Sequence, residues 1–195
     1  MVKLGLIRHG TTNWNRRHIV QGSSDVPLDD LGREEVAGWS VPVEFKEFQW
    51  IASPLSRATE TAYIISGADP RTDIRLTEMG WGDWEGHILA ELRAKLGDLM
   101  VAWEAKGLDF RGPNGESPRE VQERVATLLS EIARDGVDTL AVCHKGVIRA
   151  IYAKAVNWDM ANKPKHKLRN GCVHLFELDA NGQPAVLKLN IGMTV

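Results

Sequence analysis

The aliphatic run Val2–Ile7 ends abruptly in Arg8-His9-Gly10, and this junction constrains the chain more than any other stretch. A short aliphatic and β-branched run fits a strand buried on both faces of a sheet. Arg8 and His9 then fall at its carboxyl end, where open α/β sheets bind ligands. A guanidinium offers a planar fork of donors suited to phosphate, and a neutral imidazole is a nucleophile that works near pH 7. The pair points to phosphoryl chemistry. By itself the tripeptide also suits a strand end and a solvated turn, so the rest of the chain has to decide.

The 195 residues suit a single domain, 1–195, able to bury a substantial core. The net charge of −2 and the absence of a Lys/Arg run or basic helix face give no field for nucleic acid, so any anion must be held by a local pocket. Cys143 and Cys172 form no CxxC pair, and are expected to be packing residues in a reducing, cytoplasmic setting. No segment approaches the roughly 18 apolar residues of a membrane span, nor is a signal peptide indicated. Six histidines are present without HExxH or HxH spacing, which argues against a metal hydrolase.

Turn signals divide the chain regularly, without internal repeats. Residues 11–30 read as a long loop, the kind that is often functional. A short helix is expected from Asp30 through Val36, weakened by Gly32 and Gly38. Gln49–Ala52 reads as a strand leading into a helix with Ser53 as N-cap, Pro54 at its first position and Gly67 closing it. Arg57 lies in that helix's first turn, where it would add to an anion site or simply be solvated.

Asp73–Leu76 reads as a third strand, followed by a glycine- and tryptophan-rich loop from Thr77 to Gly86. Indoles there would either desolvate a carboxylate and raise its pKa, as a general acid requires, or only anchor a surface loop. Residues 88–106 are helical with a break near Gly97. Ser117-Pro118-Arg119-Glu120 is a capping box, with Val121, Val125, Leu128, Leu129 and Ile132 on one helical face and Gly136 ending the helix. Thr139–Cys143 is a buried strand ending in His144-Lys145-Gly146, ahead of a helix from Val147 to Val156. His144 is either a donor to a bound oxyanion or satisfied by backbone. Cys172–Leu178 and Ala185–Leu189 flank Asn181-Gly182 as a hairpin at a sheet edge.

Taken in order, Leu6-Ile7-Arg8-His9-Gly10 with Trp14-Asn15, Gln21-Gly22, Ser53-Pro54-Leu55-Ser56-Arg57-Ala58, Glu78 ahead of Gly82-Asp83-Trp84-Glu85-Gly86, Asn114-Gly115-Glu116-Ser117 and His144-Lys145-Gly146 resemble the histidine phosphatase superfamily, the phosphoglycerate mutase-like proteins. The resemblance implies a three-layer α/β/α fold with a mostly parallel central sheet. It implies His9 as a phosphoryl-accepting nucleophile with its other ring nitrogen held by a backbone carbonyl. Arg8, Arg57 and His144 would surround the transferring oxygens, and Glu78 would protonate the leaving alkoxide and then activate water. Asn15, Gln21 and Gly22 are candidate substrate contacts by the same likeness. A small phosphorylated metabolite is the implied substrate, and no metal or cofactor is needed.

Two departures favour phosphatase over mutase. Val147 follows Gly146 where mutases of the family commonly carry asparagine, and no Arg-Arg pair lies between Glu78 and Ser117. Lys145 stands where the family often has a small residue; its ammonium either favours a substrate with a second anionic group or points to solvent. His18, His87, Trp14 and Trp81 are further candidates for the pocket mouth. A mutase needing a bisphosphorylated primer and a catalytically silent phospho-ligand binder are the competing readings. Oligomeric state is not readable from the sequence.

Overall fold

The computed structural model describes residues 1–193. Six strands form one sheet: β1 (Val2–Arg8), β2 (Gln49–Ala52), β3 (Arg71–Thr72), β4 (Thr139–Cys143), β5 (Cys172–Leu178) and β6 (Pro184–Gly192), in the order β3-β2-β4-β1-β5-β6. The first four in that order run parallel, and β5 and β6 add an antiparallel hairpin at one edge. Seven α-helices connect them: α1 (Asn13–Arg16), α2 (Asp30–Ala37), α3 (Ser56–Ser66), α4 (Leu89–Leu96), α5 (Asp98–Glu104), α6 (Pro118–Asp135) and α7 (Lys145–Ala155).

Apolar spacing sends the helices to opposite faces. Val36 of α2 and Ala58 and Ala62 of α3 pack with Ile7, Leu140 and Val142. Val121, Val125 and Leu128 of α6 and Ile148 and Ile151 of α7 pack with Leu6, Ala141 and Cys143 on the other side. The result is the expected α/β/α sandwich, with β4 buried along its whole length. Neighbouring β1 and β4 feed helices on opposite faces, so the crevice beyond their carboxyl ends is a topological switch point, the usual binding place in such sheets.

Pairing register brings distant residues to that crevice. Arg8 stands opposite Cys143 and Ala52 opposite Val142. His9 N–H continues the ladder to the Cys143 carbonyl at 3.0 Å, and Ser53 N–H to the Val142 carbonyl at 2.9 Å. His9, Ser53 and His144 are thereby set side by side at three strand ends.

Several local expectations are corrected. Asp73–Leu76 is not a strand; β3 is the pair Arg71–Thr72, and Ile74–Leu76 is a 3₁₀ turn. The Asp73 carboxylate accepts from Arg75 N–H at 2.9 Å and so caps that turn. Ser53 is not an N-cap and Pro54 is not at the first helical position: α3 starts at Ser56. Its Ser56 N–H donates instead to Asp25, 2.8 Å away on the preceding loop. Residues 11–30 are not all loop, because Thr12 and Asn15 form a capping box around α1. The helix expected from Val147 to Val156 starts two residues earlier. The Ser117 capping box, the Gly136 end of α6, the Gly97 break and the edge hairpin are as read from sequence. Both cysteines are free and buried.

Gly32 was expected only to weaken α2. Its position is in fact dictated by packing, since a Cβ there would overlap the Thr11 carbonyl oxygen. Gly32 lets the segment after His9 lie directly on α2. Gly38 is different: it is exposed at φ −85°, and a Cβ would meet only the Glu35 oxygen at 3.5 Å. Propensity alone favours alanine over glycine by about 1 kcal/mol within a helix. Gly32→Ala is therefore expected to destabilise the protein by about 1–3 kcal/mol through overpacking, whereas Gly38→Ala should be neutral or stabilising by up to about 1 kcal/mol. Urea unfolding midpoints measure both, and a neutral Gly32→Ala would refute the packing role.

Candidate active site

Each group in the crevice is oriented by a local bond. His9 is 5% exposed, and its Nδ1 lies 2.6 Å from the Gly10 carbonyl. A carbonyl only accepts, so Nδ1 carries the proton and Nε2 keeps its lone pair. The bond expected for the nucleophile is thus present.

His144 is fully buried, its ring centroid 5.1 Å from that of His9. Its Nε2 is 2.7 Å from Ser53 Oγ, which also accepts the Leu55 N–H at 3.3 Å. The Ser53 hydroxyl hydrogen finds its acceptor in Nε2, an assignment that leaves the His144 proton on Nδ1. Ser53 is a positioning group that sequence reasoning mistook for a helix cap. A serine at a strand end in register with both histidines is the signal that was available.

Arg57 is fully buried and spends Nη1 and Nη2 on the carbonyls of Ser24 and Gly22, at 2.8 and 2.9 Å. Arg8 donates from Nη1 to Asn170 Oδ1 at 2.8 Å. Neither arginine pairs with a carboxylate among the described residues. Three buried side-chain polar atoms there lack a hydrogen-bond partner: Arg8 Nε, Arg57 Nε and His144 Nδ1. Buried donors of this kind are costly unless an acceptor meets them. That all three belong to one crevice marks it as built for an anion.

Glu78 reaches the crevice from the other side of α7's first turn. Its carboxylate accepts from Met79 N–H at 2.9 Å and Gly146 N–H at 3.1 Å. Gly146 is needed here, because a Cβ would overlap Glu78 Oε1. The segment before Glu78 is held by Arg124 of α6, which donates to the Arg75 and Thr77 carbonyls and pairs with Glu116 at 2.6 Å. Arg124 was not singled out in the sequence, where it reads as a solvated helical position.

The indoles do not enclose a carboxylate. Trp81 and Trp84 pack on each other and on Phe110, and Trp84 also on Trp103, so they anchor the loop. The carboxylate of that loop, Glu85, moves opposite to expectation. Burial pushes its pKa up, but hydrogen bonds from Ser24, Ser23 and Trp81 outweigh this and bring it below the usual range. Glu85 thereby pins residues 22–24, whose carbonyls hold Arg57.

Asn15 and Gln21 also serve this loop. Their side-chain oxygens accept from Thr12 Oγ1 at 3.1 and 2.9 Å, so both carboxamides are partly spent on structure. Gly22 contributes its carbonyl to Arg57. Lys145 is exposed at the start of α7, with Arg8, Arg149 and Lys167 close enough to depress its pKa beyond the effect of desolvation. His18 and His87 are exposed, and Trp14 and Trp81 are partly buried. Among the described residues no group of three His, Cys, Asp or Glu side chains is arranged as metal ligands, and no helix is long and apolar enough to cross a membrane.

Burial, then the charges of Arg8 and Arg57, push the His9 pKa well below its usual value. His144 is pushed down by burial, by His9 and by the same arginines. Both imidazoles are neutral at pH 7.

Paired histidines at the switch point of this sheet define the phosphoglycerate mutase-like fold. Glucosyl-3-phosphoglycerate phosphatase from a mycobacterium, solved in complex with VO3, superposes over the whole of both chains with a TM-score of 0.81 at 25% identity. The chain belongs to the histidine phosphatase superfamily (branch 1), whose model matches residues 4–192. Among curated relatives, glucosyl-3-phosphoglycerate phosphatase of Mycolicibacterium vanbaalenii is 31% identical, the match covering 83% of this chain and 77% of that protein. The 2,3-bisphosphoglycerate-dependent phosphoglycerate mutase of Allorhizobium ampelinum is also 31% identical, with 98% of this chain and 92% of that protein covered.

The depressed histidines have a thermodynamic signature. The unfolded chain binds protons on both rings as pH falls through about 6.5 while the folded chain does not, so folding stability rises with pH in that window and is lost below it. Each ring contributes up to about 1.4 kcal/mol per pH unit. His9→Asn should make the loss of stability between pH 7 and 5.5 distinctly shallower, as read by urea unfolding at several pH values. Identical slopes would mean that His9 is protonated in the folded protein.

Proposed function

We propose that the protein is a phosphomonoesterase of small phosphorylated metabolites, acting through a phosphohistidine at His9. The observation that carries this reading is the set of three buried donors without partners beside an imidazole whose free nitrogen is Nε2. Arg8, Arg57 and the Nδ1–H of His144 hold the three non-bridging oxygens. His9 Nε2 attacks phosphorus, the P–O bond to the ester breaks, and the Glu78 carboxyl gives its proton to the leaving alkoxide. Water then attacks the phosphohistidine, passing its proton to Glu78, which releases inorganic phosphate and restores His9. Most of the catalysis is positioning and charge stabilisation, for which one well-placed donor is worth about 3–4 kcal/mol. Asn15 and Gln21 offer their amide nitrogens to the substrate while their oxygens hold the loop.

Relatives of equal identity include phosphatases and mutases. The lack of an arginine pair between Glu78 and Ser117 favours water over a second hydroxyl as the acceptor. The test is phosphate release from a panel of phosphorylated metabolites in the presence of a chelator, with His9→Ala alongside. Release that needs His9 and ignores the chelator is expected. Full activity of His9→Ala would overturn the mechanism, and exchange of phosphate only with added 2,3-bisphosphoglycerate would identify a mutase.

Glu78→Gln gives a sharper test of the acid. It should slow alkyl phosphates by orders of magnitude more than activated aryl phosphates, whose leaving groups depart without a proton. Equal losses on both would remove Glu78 from that role.

A further inference from the structure

Beside the crevice lies a groove of about 640 Å³, walled by Arg8, the first turns of α7 and the segment 158–170. Six of its lining residues are cations: Arg8, Lys145, Arg149, Lys163, Lys167 and Arg169. No acidic side chain lines it, and none of the six forms an ion pair among the described residues. Elsewhere the surface is ordinary: ten ion pairs, and a net charge of −2. The sequence reading missed this cluster because Lys163, Lys165, Lys167 and Arg169 alternate with other residues and form no contiguous run.

Like charges held together without counter-charges oppose folding, and a cleft lined by one sign of charge concentrates ligands of the other. The groove is also held in shape. The Arg149 guanidinium lies over the Trp158 ring, 5.1 Å from its centroid. His174 fastens the segment through Arg169 O at 3.2 Å and Asn190 N–H at 3.3 Å. Arg8 belongs to both the groove and the crevice, joined to the groove wall through Asn170. Lys145 directly follows His144. A substrate whose phosphate lies among Arg8, Arg57 and His144 therefore extends naturally into the groove.

We propose that the groove binds a second phosphoryl group of the substrate, so that the preferred substrates are small bisphosphorylated molecules. Five cations beyond Arg8 exceed what a single carboxylate needs and match a dianion. The volume lies within the range of small-molecule pockets, too small for a macromolecular polyanion to be enclosed. This inference rests on the phosphatase reading for its substrate class, but its binding test does not.

The experiment is calorimetric titration, at 0.15 M salt, of α,ω-alkane bisphosphonates with two, four and six methylenes against alkyl monophosphonates of equal length. Wild type is expected to bind at least one bisphosphonate tenfold or more tightly than its monophosphonate partner. In the K167Q/R169Q double variant that ratio should fall to within twofold. Equal affinity for both ligand classes at every length, no binding of either, or an undiminished ratio in K167Q/R169Q would overturn the proposal. A bisphosphonate preference without His9-dependent phosphate release would leave the groove standing and sink the phosphatase reading; release without the preference would do the reverse.

Discussion

Parallel pairing of β1 with β4 is the constraint on which the site depends. Arg8 opposite Cys143 places the next residue of each strand, His9 and His144, side by side 135 positions apart in sequence. A slip of one residue would turn Leu6 and Ile7 to the wrong faces of the sheet, so the burial of these two side chains fixes the register. The hydrophobic core thereby specifies catalytic geometry without contacting substrate. Because β1 and β4 send their helices to opposite faces, the same pairing opens the crevice that the histidines line.

Around this frame, backbone groups do most of the orienting. The Gly10 carbonyl sets the His9 proton, while the Met79 and Gly146 N–H groups hold the Glu78 carboxylate. The Ser24 and Gly22 carbonyls aim Arg57, and Glu85 fixes those two residues in turn. Backbone is a stiff support, since its position follows from the sheet and the helices. It also explains the glycines at 32 and 146, where any side chain would occupy the space of a main-chain or carboxylate oxygen. The cost of this rigidity is a set of buried cationic donors with no protein acceptor, which an arriving phosphoryl group relieves.

The α/β alternation, the strand ends carrying Arg8, His9 and His144, and the α6 cap were legible because they rest on periodicity and capping chemistry local to a few residues. The parts that were not legible depend on long-range contacts. Ser53 looks like a cap until β2 is known to end beside β4, where His144 takes up its hydroxyl. Glu85 looks like one more loop carboxylate until residues 22–24 are folded against it. Asp73 ends a strand early because its side chain competes for the backbone of Arg75, a choice that strand propensity does not record.

Net charge misled in a more general way. A chain of −2 suggests no strong field anywhere, yet acidic side chains are concentrated in ion pairs away from one groove, leaving six cations unopposed there. What a ligand meets is the local balance, set by which charges the fold neutralises and which it leaves free. In this molecule Arg8 is the hinge between the two scales. It is a donor in the phosphoryl crevice and a wall of the cationic groove at once, so chemistry at His9 and recognition of the rest of the substrate share one side chain. A change at Arg8 must therefore alter turnover and selectivity together, whereas Lys167 and Arg169, which line only the groove, separate the two.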